Sequence, residues 1–369
     1  MFNTTTKTIY LDAPSVGELE KQYIAKAIDS TFISTVGPMV PEFEEKFAKY
    51  VATKKAISTQ SGTAALHMAL YELGIGPGDE VIVPVLTFVA TINPIVYVGA
   101  APVFVDVDPK TWNIDVKQIE RKITKRTKVI LPVHLFGNPC SMEEILKIAR
   151  KNKLFVIEDA TESLGSFYKN RHTGTLGDLG CFSFNGNKTM TTGGGGMITG
   201  NDGKRLDHIK FLVNQAREEE KGYYHPEIGF NYRMTNIEAA LGMAQMEKLE
   251  SFISLKKEFS MIYREGLKNI KDIEFQEEII GAETCWWLTC IKFGREVDLS
   301  KLQSQLRLQG IQTRRLFMPV VEFPPYRSFK KVDFPMAYAI YERGLCLPSS
   351  TVNSADDIYY VCKTLKELF

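Results

Sequence analysis

Three short stretches of the sequence carry residue types that could do chemistry together. Ser61-Gly62-Thr63 opens a helical pattern that begins at Ala64. Unpaired N–H groups at a helix start, with the Thr63 hydroxyl, can hold an anion such as a phosphate. Ser and Thr are also common as plain helix caps. The second stretch, Ile157-Glu158-Asp159, ends an apolar run in two acids. A carboxylate there can cap the next helix, pair with a basic group, grip a protonated heterocycle nitrogen or bind a metal. No His or Cys cluster lies near it in sequence, so no metal site is expected. The third stretch runs from Ser183 to Thr192 and places Lys188 ahead of four glycines, residues 193–196. A lone Lys beside glycines can equally be an exposed side chain next to a flexible linker. It is not a Walker loop, because the Lys precedes the glycines, and GIGPGD at 74–79 precedes its strand, unlike a dinucleotide fingerprint. Together the three offer a phosphate seat, a carboxylate for a ring nitrogen and a lysine. That is the set an enzyme using pyridoxal 5'-phosphate needs.

These residues must be positioned by a scaffold, and the sequence describes one. From Ala56 to Gly200, short apolar runs alternate with amphipathic stretches. Strands are expected at 55–58, 80–85, 102–107, 128–134, 154–159, 180–184 and 195–199, with helices such as 63–74 and 141–153 between them. The alternation predicts an α/β unit with a mostly parallel sheet and helices on both faces. The strands are β-branched runs with no strict alternation, as expected when both faces are covered. In such sheets ligands bind at the carboxyl ends of the strands, where all three stretches fall. From Asn236 the pattern becomes one long helix. Beyond it, a strand at 285–293 and a helix at 299–310 suggest a smaller α+β unit. The division expected is 1–250 for a large domain and 251–369 for a small one, and Trp286 and Trp287 are expected to pack in the latter.

Composition sets outer limits. The 369 residues are 44% hydrophobic and 24% charged, values of a folded globular chain and not of a disordered or fibrous one. With 45 basic and 44 acidic residues the net charge is +1, which gives no electrostatic case for nucleic acid or an anionic membrane. Six scattered cysteines without a CxxC read as reduced thiols in a cytoplasmic protein. Residues 81–105 carry no charge and could span a bilayer in length, but Pro84, Pro94 and Pro102 interrupt them. A buried strand–helix–strand, with the helix near 89–98, is the expectation. The opening residues lack the basic and apolar regions of a secretory signal.

The motifs resemble a known family. GPMVPEFEEKFAKYV (37–51), SGTAALHMAL (61–70), GPGDEVIVPVLTFVAT (76–91), IEDATESLGS (157–166), CFSFNGNKTMTTGGGGMI (181–198), GFNYRMTNIEAALG (229–242) and RGLCLPSS (343–350) are similar, in order and spacing, to the DegT/DnrJ/EryC1/StrS nucleotide-sugar aminotransferases. The resemblance implies the aspartate aminotransferase fold, fold type I, over nearly the whole chain. It implies Lys188 as the lysine that joins pyridoxal phosphate as an imine. Neutralising a free Lys at pH 7 costs roughly 4.6 kcal/mol, a handicap that burial reduces. It implies Asp159 on the ring nitrogen, Gly62, Thr63 and Ser183 on the phosphate, and Phe88 stacked on the ring. Asn231 would reach the cofactor phosphate of a neighbouring subunit, so a homodimer with shared sites is expected. Arg314, Arg315 and Tyr326 lie in the region that resembles the family's substrate segment, although the usual Arg-Pro-x-Trp run is altered here to RRLFMP.

One position departs from the common pattern. Many members have Gln where this chain has Glu162, beside the cofactor hydroxyl, and a Glu there needs a proton or a compensating partner. Members acting on acetamido sugars also carry Glu, and the Gly-Asn-Lys-x-x-x-Thr form points toward 4-keto-6-deoxy sugars. The implied reaction is transfer of an amino group from glutamate to C4 of a nucleotide-linked 4-keto-6-deoxy sugar, with UDP-4-keto-6-deoxy-N-acetylhexosamine first. Its alternatives are a GDP-4-keto-6-deoxymannose 4-aminotransferase of perosamine type, a C3-aminotransferase, and a catalytically silent cofactor-binding regulator. A dehydrating branch replaces the lysine with His, whereas this chain keeps Lys188. His134, at a strand end, could approach the site or serve structure alone.

Overall fold

The structure, a computed structural model, describes residues 7–327 and 333–369. Residues 1–6, on which part of the leader reading rests, lie outside them. Eleven α-helices and fourteen strands are formed among the described residues. The helices are α1 (Glu18–Asp29), α2 (Met39–Tyr50), α3 (Gly62–Glu72), α4 (Asn93–Tyr97), α5 (Val116–Lys122), α6 (Met142–Asn152), α7 (Gly203–Val213), α8 (Asn236–Leu267), α9 (Leu299–Leu308), α10 (Pro335–Arg343) and α11 (Ala355–Leu368).

Seven strands make the central sheet: β1 (Lys55–Thr59), β2 (Glu80–Pro84), β3 (Ala101–Val105), β4 (Thr127–Ile130), β5 (Phe155–Asp159), β8 (Leu179–Ser183) and β9 (Gly196–Gly200), in the order β1-β9-β8-β5-β4-β2-β3. Only β9 runs antiparallel to its neighbours. Alternate residues go to opposite cores, as the pleat requires. Val81, Val83, Val129 and Ile157 pack on the side that holds residues of α2 and α3. Ile82, Ile130 and Val156 pack with Ile119 of α5 and Ile145 and Ile148 of α6. Both faces are covered, which is why these strands read as unbroken apolar runs.

Two smaller sheets complete the chain. β6 (Phe167–Tyr168), β7 (Arg171–His172) and β11 (Ala282–Glu283) form a three-stranded patch. β10 (Ile273–Phe275), β12 (Cys290–Phe293), β14 (Gly344–Cys346) and β13 (Arg314–Arg315) form an antiparallel sheet in that order. Its core joins Phe259 and Tyr263 of α8 to Leu302 and Leu306 of α9 and Val361 and Leu365 of α11. α8 runs through residue 250 without a break, its start closed by a capping box between Thr235 and Glu238.

Two local expectations change. Residues 89–98 form a 3-10 turn at Val89–Thr91 and then α4, not one helix, and no helix among the described residues is long and apolar enough to cross a membrane. The strand expected at 285–293 starts only at Cys290. Trp286 has φ 50, which is incompatible with extended backbone, and the Thr289 N–H goes to Ser349 Oγ at 3.0 Å, off the ladder.

Candidate active site

The carboxyl ends of β1, β2, β5 and β8 open onto one cavity of about 320 Å³. Its wall brings together Gly62, Thr63, Phe88, Asp159, Glu162, Ser183, Lys188 and Arg314, eight of the residues expected at the site. They arrive from five separate parts of the chain, the ends of β1 (Gly62, Thr63), β5 (Asp159, Glu162) and β8 (Ser183, Lys188), the loop after β2 (Phe88) and β13 (Arg314), so the sheet brings these groups together.

The β1 end turns directly into α3. Ser61 caps the helix, its Oγ accepting from Ala64 N at 3.1 Å. The first-turn N–H groups of a helix lack intrahelical acceptors and sit at the positive end of its dipole. Gly62 passes close to the β8 end: a Cβ there would lie 2.8 Å from Ser183 Cβ and 3.1 Å from Thr161 Cγ2. The concavity on the wall between α3 and β8 depends on that missing side chain.

Asp159 ends β5 and is only 2% exposed. Its carboxylate accepts from the Thr91 hydroxyl at 2.7 Å and from Thr161 N at 3.1 Å. Thr91 spends its one proton on Asp159, so the Thr87 hydroxyl, 2.8 Å away, donates to Thr91. Both partners of Asp159 are neutral donors, and among the described residues no cation stands within 4.0 Å of it. Such a carboxylate complements a protonated ring nitrogen placed in the cavity.

The preceding residue, Glu158, points the other way. It accepts from Gly174 N, Leu176 N and Gly177 N and pairs with His134 Nε2 at 3.0 Å. Burial pushes its carboxyl up, but these hydrogen bonds outweigh it and hold the group below its ordinary value. His134 Nδ1 accepts from Cys140 N at 3.0 Å, which puts the proton on Nε2 facing Glu158. His134 is therefore a fully bonded structural group and lies off the cavity wall.

Lys188 sits in a turn after β8, its N–H bonded to Asn185 O at 2.9 Å. Its Nζ stands 3.7 Å from Glu162 Oε1 and 4.1 Å from the centre of the Trp287 ring. Burial pushes the amine down from its ordinary value and pushes the Glu162 carboxyl up, so both lean toward their neutral forms. The other Glu162 oxygen accepts from Phe136 N at 2.8 Å. Phe136 itself is held at φ 56, ψ 19, an uncommon conformation for a bulky residue. Lys188 supplies the compensating partner that a Glu at 162 needs.

The glycines after Lys188 are no linker. Gly195 N bonds Gln60 O at 2.8 Å and Phe184 N bonds Gly195 O at 3.0 Å, tying the run to the strand ends. Gly195 has φ 94, and a Cβ there would lie 2.3 Å from Thr192 Oγ1.

Arg314, on β13, reaches Asp12 Oδ2 with one terminal nitrogen at 3.4 Å. Its Nε and second terminal nitrogen are buried and have no hydrogen-bond partner among the described residues. Phe88 lies at the rim, 54% exposed, with its ring 5.7 Å from Phe317. Three expected residues do not line the cavity. Arg315 turns to the carbonyls of Tyr341 and Glu342. The Tyr326 hydroxyl donates to Asn93 Oδ1 at 2.7 Å. Asn231 is exposed and accepts from Arg233.

Sequence reasoning missed Trp287. It is not simply small-domain packing: its ring lines the cavity beneath Lys188, and its Nε1 donates to Asn187 O at 2.7 Å. Trp286, the other member of the pair, is buried away from the wall under the Arg264 guanidinium. The doubled Trp was the available signal, since consecutive residues face different sides. Thr91, Thr161 and Phe317 were also missed, because single Thr and Phe residues carry no pattern.

The chain matches the DegT/DnrJ/EryC1/StrS aminotransferase family over residues 14–366. It is 42% identical over 363 residues to a GDP-perosamine synthase of Escherichia coli O157:H7, covering 98% of this chain and 99% of that one. It is 40% identical over 363 residues to a GDP-perosamine synthase of Caulobacter vibrioides, covering 98% of each. Among solved structures, the putative sugar aminotransferase Spr1654 from Streptococcus pneumoniae in its PMP form superposes with a TM-score of 0.94 at 28% identity, covering 98% of this chain and 97% of that one. The chain belongs to the DegT/DnrJ/EryC1/StrS aminotransferase family. It has the type I fold of enzymes that use pyridoxal phosphate, and it is a pyridoxal phosphate-dependent sugar aminotransferase. The residues lining the cavity fit that cofactor: a buried carboxylate with no cation within 4.0 Å among the described residues, a helix start with a glycine-made concavity, and a lysine whose amine burial pushes toward its neutral form.

Proposed function

We propose that this family member transfers an amino group from glutamate to C4 of a nucleotide-linked 4-keto-6-deoxy sugar. The observation that carries the reading is the meeting of the Lys188 amine, the Asp159 carboxylate and the start of α3 in one cavity. When bound, the cofactor supplies the electron sink and carries the amino group between donor and acceptor. The chain's residues do the rest. The α3 start, with Gly62, Thr63 and Ser183, binds a phosphate through N–H and hydroxyl donors. Asp159, fixed by Thr91 and Thr161, keeps a proton on the ring nitrogen. Lys188 would hold the cofactor through its amine and, once freed, would take and return a proton at Nζ. Glu162 stands beside that Nζ at 3.7 Å. Phe88, at the rim, would cover the cofactor ring, and Arg314 would offer its Nε and second terminal nitrogen to an anionic part of a substrate. Asn231, exposed here, would reach the cofactor phosphate of a second copy, which would make the working unit a homodimer.

The nucleotide is the open choice. The relatives named GDP-perosamine synthases support GDP-4-keto-6-deoxymannose as the first substrate. Glu162 supports a second reading, the UDP-linked 4-keto-6-deoxy-N-acetylhexosamine. The test is a glutamate-dependent assay of the purified protein on UDP-, dTDP- and GDP-linked 4-keto-6-deoxy sugars, with products resolved by mass spectrometry and NMR. C4 amination of the GDP sugar, abolished in Lys188→Ala, is the expected result. C4 amination of the UDP sugar selects the second reading. No turnover, with the cofactor spectrum unchanged by glutamate, sinks both and leaves a silent cofactor-binding protein.

A further inference from the structure

Lys256 of α8 is 4% exposed, and among the described residues no carboxylate stands within 4.0 Å of its amine. Its Nζ donates to two main-chain carbonyls, Trp287 O at 3.0 Å and Ser349 O at 2.8 Å. A buried ammonium without a counter-ion is costly, and an apolar side chain would fill the same volume more cheaply. What the amine adds is a clamp. It joins the segment before β12 to the segment after β14, and both lead back to the cavity.

The first arm ends under Lys188. Trp287 is held at two points, its carbonyl by Lys256 and its indole N–H by Asn187 O at 2.7 Å. Between them the ring lies 4.1 Å from Lys188 Nζ. The residue before it, Trp286, is in the left-handed region, a conformation that persists only where the surroundings fix it. The Lys256 bond falls directly after that strained residue. The second arm runs through Ser349, whose N–H donates to Leu11 O at 2.7 Å. The next residue, Asp12, accepts from Asn187 Nδ2 at 3.2 Å and from Arg314 at 3.4 Å. Lys256 thus braces both the ring beneath the Lys188 amine and the acid that holds Arg314.

We propose that Lys256 is a positioning residue for the transamination, a buried amine that fixes the Trp287 ring beneath Lys188 and so sets where the reactive amine stands. The inference rests on Lys188 being that amine. Burial pushes the Lys256 amine down to about 8. The titratable groups that face it are Cys285, before β12, and Asp12 of the N-terminal segment, and both favour its charged form. On α8 itself the Tyr263 hydroxyl is occupied by Pro348 O at 2.9 Å. The clamp therefore weakens as pH rises through the value of this amine.

The test uses full-length protein with Lys256→Met, which keeps the volume, and Lys256→Arg, which keeps the charge. In ¹⁵N-Trp-labelled apoprotein, the Trp287 indole N–H is identified by its loss in Trp287→Phe. Its resonance is expected to titrate near pH 8 in the wild type, to stay put in Lys256→Arg, and to be displaced at all pH values in Lys256→Met. In the holoenzyme, the rate of the glutamate-driven spectral change is expected to fall tenfold or more in Lys256→Met, with half-saturation within threefold, and to recover in Lys256→Arg. A Trp287 resonance unmoved by Lys256→Met overturns the proposal, even if activity falls. Should Lys256→Met not fold, a titration near pH 8 that persists in Lys256→Arg overturns it. A wild-type protein inert to glutamate defeats the functional reading instead, while the Trp287 signal still decides on Lys256.

Discussion

Lys188 and Glu162 face each other across 3.7 Å inside the cavity, and burial moves each toward its neutral form. The pair settles how a Glu can stand where many relatives are expected to have Gln. The carboxyl has an amine on one oxygen and the Phe136 N–H on the other. The amine in turn has an acid beside it and the Trp287 ring beneath it. The charge on each group favours the charged form of the other, against the burial that disfavours both.

Glu162→Gln separates them. Glu162 favours the charged form of Lys188, so its removal lowers the amine's pKa further. Lys188 of the apoprotein should then react faster with an amine-directed reagent at neutral pH, with the rate profile displaced to lower pH. Peptide mass spectrometry after timed labelling reads this directly. The linkage also has a sign. A carboxyl raised in the folded state contributes stability at low pH that is lost as pH climbs from 4.5 through its folded value. Denaturant titrations of Glu162→Gln should lack that decline. A labelling profile identical to wild type would remove Glu162 from the pair.

Glu158 and Asp159 are neighbours with opposite duties, because consecutive strand residues face opposite ways. Asp159→Asn keeps the shape but removes the charge facing the cavity, with the Thr91 bond still possible. The rate of the glutamate half-reaction should fall about 10²–10³-fold, the usual cost of losing one preorganised electrostatic group, with little change in Tm. Glu158→Gln should do the reverse. It breaks a buried pair with His134 and sets an amide donor among three backbone N–H groups, at a cost of about 3–5 kcal/mol. Measuring both variants by calorimetry and stopped-flow absorbance checks the division. Equal effects on both quantities would erase it.

Much of this was readable in the sequence, for physical reasons that differ by residue. The strands of the central sheet announce themselves because burial on both faces makes their runs mostly apolar. Gly62, Asp159 and Lys188 stand out because each is an unusual residue at a strand end or turn, where the fold places ligands. The doubled Trp offered one ring to each side, but which of the two faces the cavity depends on a left-handed Trp286 that no local pattern marks. Arg314 and Arg315 look equivalent in sequence, yet adjacent strand residues diverge, and only Arg314 reaches the cavity. Residues 89–98 read as one helix because their apolar content hides the break between the 3-10 turn and α4.

His172 gives a second pH dependence, away from the site. It is buried among the rings of Tyr50, Phe167 and Phe182. Its Nδ1 donates to Thr173 O at 2.6 Å and its Nε2 accepts from Gly165 N at 2.9 Å. A second proton on Nε2 would face an N–H donor, and burial pushes the group down to about 4 from 6.5. Between these values the unfolded chain binds a proton that the folded chain refuses. Stability is therefore full above 6.5 and falls as pH drops toward 4, by on the order of 3 kcal/mol. Urea denaturation at pH 7.5 and 4.5 should show a smaller drop for His172→Gln, which can keep both hydrogen bonds. Equal drops would rule out His172 as the source.

Gly62→Ala tests the phosphate seat with one methyl group. The added Cβ meets Ser183 Cβ at 2.8 Å and Thr161 Cγ2 at 3.1 Å, so α3 and the β8 end must part by several tenths of an ångström. Neither neighbour is a free chain end. Ser183 belongs to a strand paired on both sides, and the Thr161 N–H is bonded to Asp159. Overpacking of this kind costs about 1–3 kcal/mol. The shift also moves the α3 start relative to Asp159, and in the proposed function these two ends hold one rigid cofactor. Affinity for pyridoxal phosphate should weaken at least about tenfold, the equivalent of 1.4 kcal/mol, which absorbance titration of the apoprotein reads out. A matched loss in Gly76→Ala, where the nearest atom is Val98 O at 3.8 Å and the cavity is remote, would mean that general destabilisation explains the effect. Weakened cofactor binding in Gly62→Ala alone ties the concavity to the phosphate.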